Sequence, residues 1–388
     1  MIDVPTPDLA ALVRGAAETE RTPRGLRPHR LPAWVGRQLP DPQLLAMEAQ
    51  PSGVRLAFAT TATAVELVLH PTRLAYRQVE RPRGAVDLVV DGTVVASEPL
   101  TAGDVIVTDL ATGASAVVGG AAQTVAFTGL PAGEKVVELW LPHNESVELV
   151  ALRADAPVRR AADDRPVWVH HGSSISQGSN AATPTGTWPA VAALRGGVDL
   201  RNLGLGGSAL VDPSTARVIR DAPADLISVK LGINVVNLDG MRLRTFLAAV
   251  HGFLDTIRDG HPDTPLVLVS PLFCGIHEDA PGPGAFDPAA LAAGFARFTA
   301  NAGADLSTGR LTLRVVRDAL ATVAERRSDD PQLHLLDGLA LYGADDAAAH
   351  PLPDALHPDA ATHRLIGERF AAAAFGAGGP FAGAARGA

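Results

Sequence analysis

The sequence predicts a two-domain α/β protein: an antiparallel β-sandwich followed by a three-layer domain built on a mainly parallel sheet. Two observations predict it. Up to about residue 160 the apolar residues alternate with period two and little helical signal follows the opening segment. From about residue 167 short apolar runs alternate with amphipathic helical stretches instead. With 388 residues, two domains are the natural division, here residues 1–160 and 161–388.

In the N-terminal half, Val54, Leu56 and Phe58 alternate with smaller or polar neighbours, as do Val65, Leu67 and Leu69. Both stretches read as half-buried strands. The segment VDLVVDGTVVASEPL places Asp91-Gly92 between two β-branched runs, a strong hairpin signal. A further strand is expected at residues 124–127, then the turn LPAGEK, then Val136, Val137, Leu139 and Trp140. Short strands without intervening helices predict a sandwich.

The charged, proline-containing run ALRADAPVRRAADDRP reads as the joint. Beyond it, VWVH, VDLRNL, DLISVKL, PLVLVS and LHLLD are expected strands, with MRLRTFLAAVHGFLDTIRDG and LTLRVVRDALATVAERR as helices between them. Alternation of this kind implies a parallel sheet covered on both faces. Ligands of such sheets bind beyond the carboxyl ends of the strands, so reactive residues are sought there.

Composition narrows the function. The net charge of −9 argues against a nucleic-acid partner, which calls for clustered positive charge. Cys274 is the sole cysteine, so neither an intrachain disulfide nor a cysteine-based metal site can form. The opening MIDVPTPDLAALVRG has no basic start or apolar core, and no apolar run approaches the ~18 to 20 residues that span a bilayer. The expectation is a cytoplasmic protein with no membrane partner.

Four segments carry candidate chemistry, each after an expected strand or before an expected helix. HHGSSISQG supplies Ser174 at a helix start, where backbone N–H groups can stabilise negative charge. Read alone, Ser173, Ser174 and Ser176 are turn and cap residues. DALHPDAATHRLIGERF holds Asp354 and His357 three apart, before a helix expected near Pro358. That spacing lets the carboxylate reach the imidazole and hold its tautomer, although an isolated pair of this kind serves more often as a cap or surface pair. NLGLGGSAL and LGINVVN offer the Gly207 N–H and the Asn234 amide as oxyanion donors. Their alternatives are a close-packed glycine turn and an asparagine-stabilised loop.

Together these blocks, in this order, resemble the SGNH hydrolases, the GDSL-like lipase/acylhydrolase family, over about residues 167–388. Ser174 matches the serine of the first block, Gly207 the glycine of the second, and Asn234 the asparagine of the third, preceded by Gly232. Asp354 and His357 match the terminal Asp-x-x-His. The resemblance implies a flavodoxin-like sheet with a jelly-roll-like sandwich before it, a Ser174–His357–Asp354 relay, and an oxyanion hole of Ser174, Gly207 and Asn234. It further implies a small-molecule acyl donor (an ester, acyl-CoA or carrier-protein thioester) and a hydroxyl acceptor, with neither cofactor nor metal. Ser173 and Val235 depart from the aspartates usual at those positions, which leaves the subfamily open. Two-domain relatives include carbohydrate esterases and a salicylyl acyltransferase of tetracycline biosynthesis. The length and the Gly-Ser-Ser-Ile block favour the second group.

Other readings have less support. Gly204-Leu205-Gly206-Gly207-Ser208-Ala209 fits a loose dinucleotide-binding pattern, but its companion acid, Asp225, stands at the start of a strand rather than at its end. His170, His171, His277, His350, His357 and His363 lack metal-ligand spacing; His170 and His171 are expected to line a strand exit and pocket wall. Cys274 is expected to be buried and inert. With aromatic residues at 4%, the sandwich lacks a stacking platform for carbohydrate, and Trp140 reads as core. The sandwich is expected to shape one wall of the catalytic cleft.

Overall fold

The structure, a computed structural model, describes residues 1–110, 112–300, 306 and 308–383. Within the N-terminal half, a pair of sheets face each other. One joins strands Ser115–Val118, Asp104–Thr108, Ala64–Tyr76, Glu145–Ala154, Leu26–His29 and Glu18–Arg21 in that order. The other runs Val158–Arg160, Arg55–Thr60, Lys135–Trp140, Ala85–Val90 and Thr93–Pro99. Between them lies an apolar core that includes Leu56, Phe58, Val65, Leu67, Leu69, Val137 and Leu139. Asp91 and Gly92 both have positive φ, 48° and 77°, as a two-residue hairpin turn requires. The pairing is antiparallel except where Ala64–Tyr76 meets Asp104–Thr108 in parallel.

Arg55–Thr60 departs from the half-buried expectation, since every residue in it is buried. Leu56 and Phe58 enter the sandwich core, while Arg55 points the other way and donates to the Leu200 carbonyl at 3.2 Å. Ala85–Val90 is likewise fully buried, and Asp87 accepts hydrogen bonds from the Thr185 N–H and hydroxyl at 2.9 and 2.6 Å. The outer face of this sheet is therefore covered by the second half of the chain. Trp140 is 1% exposed and shares a core with Trp168 and Trp188, so it is indeed core, and that core spans both halves.

The elements of the second half that position the site are β1 (Val167–Gly172), α1 (Ser174–Gln177), α2 (Trp188–Gly196), β2 (Asp199–Gly204), α3 (Pro213–Asp221), β3 (Leu226–Lys230), α4 (Ile233–Asn237), α5 (Leu243–Gly260), β4 (Leu266–Val269), α6 (Leu313–Arg326), β5 (Leu333–Leu336) and α7 (Ala360–Ala374). The five strands are all parallel, in the order β2-β1-β3-β4-β5, the flavodoxin-like arrangement. Trp168, Leu200, Leu226 and Val267 pack on one face with α2 and α7. Val169, Leu203, Ile227 and Leu268 pack on the other with α3, α5 and α6. The topology reverses between β1 and β3, which puts the ligand crevice at the carboxyl ends of β1, β2 and β3.

Candidate active site

Ser174 opens α1 directly after β1. The cap of that helix is Ser173, buried, whose hydroxyl accepts the Ile175 N–H. Serine and aspartate are both good N-caps, so the departure at 173 leaves the turn intact. Gly172 is required by close approach, because a Cβ there would lie 2.3 Å from Ser176 Oγ. Val235, the other departure, is fully buried in the core beneath the sheet.

The Ser174 hydroxyl donates to His357 Nε2 at 2.9 Å, and His357 Nδ1–H donates to Asp354 Oδ2 at 2.8 Å. The His357 and Leu356 backbone N–H groups both donate to Asp354 Oδ1, at 2.7 and 3.0 Å. Burial raises the Asp354 pKa, but these hydrogen bonds and the imidazole outweigh it, and the carboxyl is held below its ordinary value. A carboxylate so held fixes the imidazole with Nε2 free to accept. The helix after His357 begins at Ala360 with Asp359 as its cap, two residues later than the sequence suggested. Pro358 and Asp359 make the approach to α7, because Asp359 supplies an acceptor for the Thr362 N–H at 2.8 Å that Pro358 cannot.

Gly207 follows β2 with φ of 69°. Asn234 lies in the first turn of α4 after β3, and its side-chain oxygen accepts the Ala209 N–H at 3.1 Å. Among the described residues, the Ser174 N–H, the Gly207 N–H and the Asn234 side-chain NH₂ have no protein acceptor. Three donors without acceptors, on the segments that follow β1, β2 and β3, are what an oxyanion site needs. The arrangement can generate a serine alkoxide, receive the negative charge it creates on a carbonyl, and return a proton to a leaving group.

Several contributors had no sequence signal. Asn180, on the loop after α1 with φ of 66°, donates to Asp354 Oδ2 at 3.2 Å. Phe298 and the His357 ring meet edge to face, with centroids 5.5 Å apart at 75°. It stands in a small two-stranded sheet, Gly284–Phe286 with Phe298–Ala300, and packs against Phe286 with ring centroids 4.6 Å apart and planes tilted by 35°. Gln43, from the N-terminal half, donates to the Gly206 carbonyl at 2.9 Å. Each depends on a contact between residues distant in sequence.

One expectation about the histidines is corrected by the structure. His170 and His171 do not line a pocket wall. They are buried inside β1, where His170 bridges Ser228 and Ser176 at 2.7 and 2.8 Å and His171 donates to the Leu203 carbonyl at 2.8 Å. Burial and the nearby Lys230 push His170 well below its ordinary pKa. The glycine loop 204–209 does not open a helix, since α3 starts at Pro213, so it lacks the helix N-terminus that a dinucleotide pyrophosphate needs. Cys274 is buried and its thiol is pushed up to about 12 by burial. Among the described residues no group of three or more His, Cys, Asp or Glu is placed to hold a metal ion, and no helix is long and apolar enough to cross a membrane.

Comparison with known proteins bears on the family and the fold. Residues 171–365, half of the chain, match the GDSL-like Lipase/Acylhydrolase family. Residues 12–150 match a domain family described as SsfX3, N-terminal domain. The structure is similar to that of the salicylyl-acyltransferase SsfX3 from a tetracycline biosynthetic pathway, with TM-score 0.74 and 28% identity over 92% of both chains. It also resembles a protein assigned as a GDSL-like lipase from Bacteroides ovatus, with TM-score 0.65 and 19% identity over 95% of both chains. A family two carbohydrate esterase from Clostridium thermocellum gives TM-score 0.55 and 15% identity, covering 83% of this chain and 90% of that one. At those identities the last two share the fold. A search of curated protein sequences returned no match.

Proposed function

Because the chain belongs to the GDSL-like lipase/acylhydrolase family, as a serine esterase or acyltransferase, we propose that it transfers an acyl group through an acyl-Ser174 intermediate to an acceptor hydroxyl. In this reading His357 Nε2 takes the Ser174 proton as Oγ attacks the carbonyl carbon of an ester or thioester. The Ser174 and Gly207 N–H groups and the Asn234 amide hold the oxyanion. Collapse breaks the bond to the alcohol or thiol, which leaves with the proton from His357. An acceptor hydroxyl then gives its proton to His357 and attacks the acyl-serine, and Ser174 leaves with that proton. Asp354 stays ionised and steadies the imidazolium.

The observation that carries the reading is the continuous Ser174–His357–Asp354 hydrogen-bond chain. Transfer rather than hydrolysis is supported by the likeness to SsfX3 over both halves of the chain. The Phe286–Phe298 pair bordering His357 supports it further, since an apolar wall limits water at the acyl-enzyme. The acceptor we propose is a hydroxyl of a natural product such as a polyketide or a sugar. An acyl-CoA or carrier-protein thioester as donor would place the reaction in the cytoplasm.

Partitioning of a preformed acyl-enzyme tests this. The protein is loaded from an acyl thioester, freed of excess donor, and chased with water alone or with polyketide and sugar alcohols. Faster loss of the adduct with an alcohol, with the acylated alcohol as product, supports transfer. Loss at the same rate in water with only free acid released contradicts it and leaves an esterase, of which a carbohydrate deacetylase is one form.

A further inference from the structure

The loop that presents Gly207 is held from outside the half of the chain that contains it. The loop approaches the nucleophile: a Cβ on Gly206 would lie 3.5 Å from Ser174 Cβ and 3.2 Å from Gln177 Oε1. The Gly206 N–H donates to that Gln177 oxygen at 2.8 Å. The N-terminal helix Pro42–Glu48 approaches the same loop. There the Met47 sulfur would lie 3.0 Å from a Cβ on Gly206, and Gln43 Nε2 would lie 3.2 Å from one on Gly207. Arg30, fully buried, ties this helix to the sheet by donating to the Met47 carbonyl and, at 2.5 and 3.1 Å, to the Gly204 and Asn202 carbonyls.

The Gly206 carbonyl and the Gly207 N–H belong to one planar trans peptide, so they point in opposite directions. Two consecutive glycines impose little steric preference on how that plane is turned. The Gln43 amide, donating to the Gly206 oxygen at 2.9 Å, selects the orientation in which the Gly207 N–H faces away from the Gln43 amide. We propose that Gln43 is a positioning residue for the oxyanion site, so that the N-terminal half of the chain completes the catalytic apparatus as well as packing against it. This inference rests on the acyl-transfer reading, in which Gly207 is an oxyanion donor.

Gln43 is exposed, so its replacement should spare the fold. Gln43→Leu keeps the bulk of the side chain and removes the donor. Gln43→Lys restores a donor of similar reach. On the full-length protein with a chromogenic ester, Q43L should lower kcat at least roughly tenfold, short of the ~10²- to 10³-fold loss for deletion of an oxyanion donor. KM should change by less than about twofold, since the ground-state carbonyl gains little from the hole. Q43K should recover most of that loss, and the melting temperatures of both should match the parent. Wild-type kcat in Q43L overturns the inference. So does a loss that Q43K fails to restore, or a loss that accompanies a lowered melting temperature in both variants. Ser174→Ala measured beside them separates the two levels: an active S174A refutes the acyl-serine reading itself, whereas an inactive S174A with an unimpaired Q43L refutes only the role of Gln43.

Discussion

The Asn234 side-chain oxygen accepts the Ala209 backbone N–H at 3.1 Å, and this fixes which end of the Asn234 amide stays available as a donor. A backbone N–H can only meet an acceptor, so the oxygen is committed and the NH₂ is left to donate. Asn234→Ala should lower kcat on the order of 10²- to 10³-fold. Asn234→Asp is the sharper variant. It keeps an acceptor for Ala209, and with it the loop, but places negative charge where the oxyanion forms. It should be at least as inactive as N234A while melting close to the parent. An active, easily unfolded N234D would assign Asn234 a structural role only.

Asn180 should matter through Asp354. Its amide donates to Asp354 Oδ2 at 3.2 Å, the oxygen that also receives His357 Nδ1–H. Because φ at Asn180 is 66°, glycine removes the amide without adding backbone strain. Asn180→Gly should lower kcat roughly tenfold, the size expected for one hydrogen bond to a charged group. Steady-state kinetics check it, and an unchanged kcat would show that Asp354 needs no help from this loop.

Phe298 bears on the fate of the acyl-enzyme. Its ring packs against His357, and removing it opens one side of the site to water. Phe298→Ala should shift partitioning of the acyl-enzyme severalfold toward hydrolysis while acylation continues. Product ratios at a fixed acceptor concentration measure this. A ratio that does not move would place the acceptor site elsewhere.

Stability should fall in mild acid. Burial pushes His171 and His363 each to about 4, so both are neutral in the folded protein. His363 shows why: Nδ1 accepts the Trp188 N–H at 3.3 Å while Nε2–H donates to the Ser179 carbonyl at 2.9 Å. Unfolded histidine titrates near ~6.5. From ~6.5 down to about 4 the unfolded chain therefore binds protons that the folded chain does not, and each imidazole removes on the order of 3 kcal/mol. His29, raised mainly by its hydrogen bond to Glu48, acts in the opposite direction. It is opposed by six lowered imidazoles, since His143, His170, His277 and His334 are shifted down as well. Urea denaturation near neutral pH and at about pH 5 should show the lower stability in acid; equal or greater stability at pH 5 would contradict this account.

The strands of both halves were legible because burial on one or two faces leaves a periodic trace in the sequence. Ser174, Gly207 and Asn234 could be singled out because a parallel sheet gathers whatever follows its strands at one rim. Arg55–Thr60 was misread as half-buried, since its outer face is covered only by the other half of the chain, through contacts such as that of Arg55 with Leu200. Gln43 and Asn180 left no local trace for the same reason. Each acts on a partner more than 160 residues away, and no pattern within a short window encodes that meeting.

The acyl-serine intermediate is tested most directly by locating it. The protein is mixed with an acyl thioester, quenched in acid during turnover, weighed intact and then digested. The account predicts one added acyl mass, confined to the peptide that contains Ser174 and missing from Ser174→Ala. An acyl group found on a different residue, or turnover that persists in S174A, would contradict it.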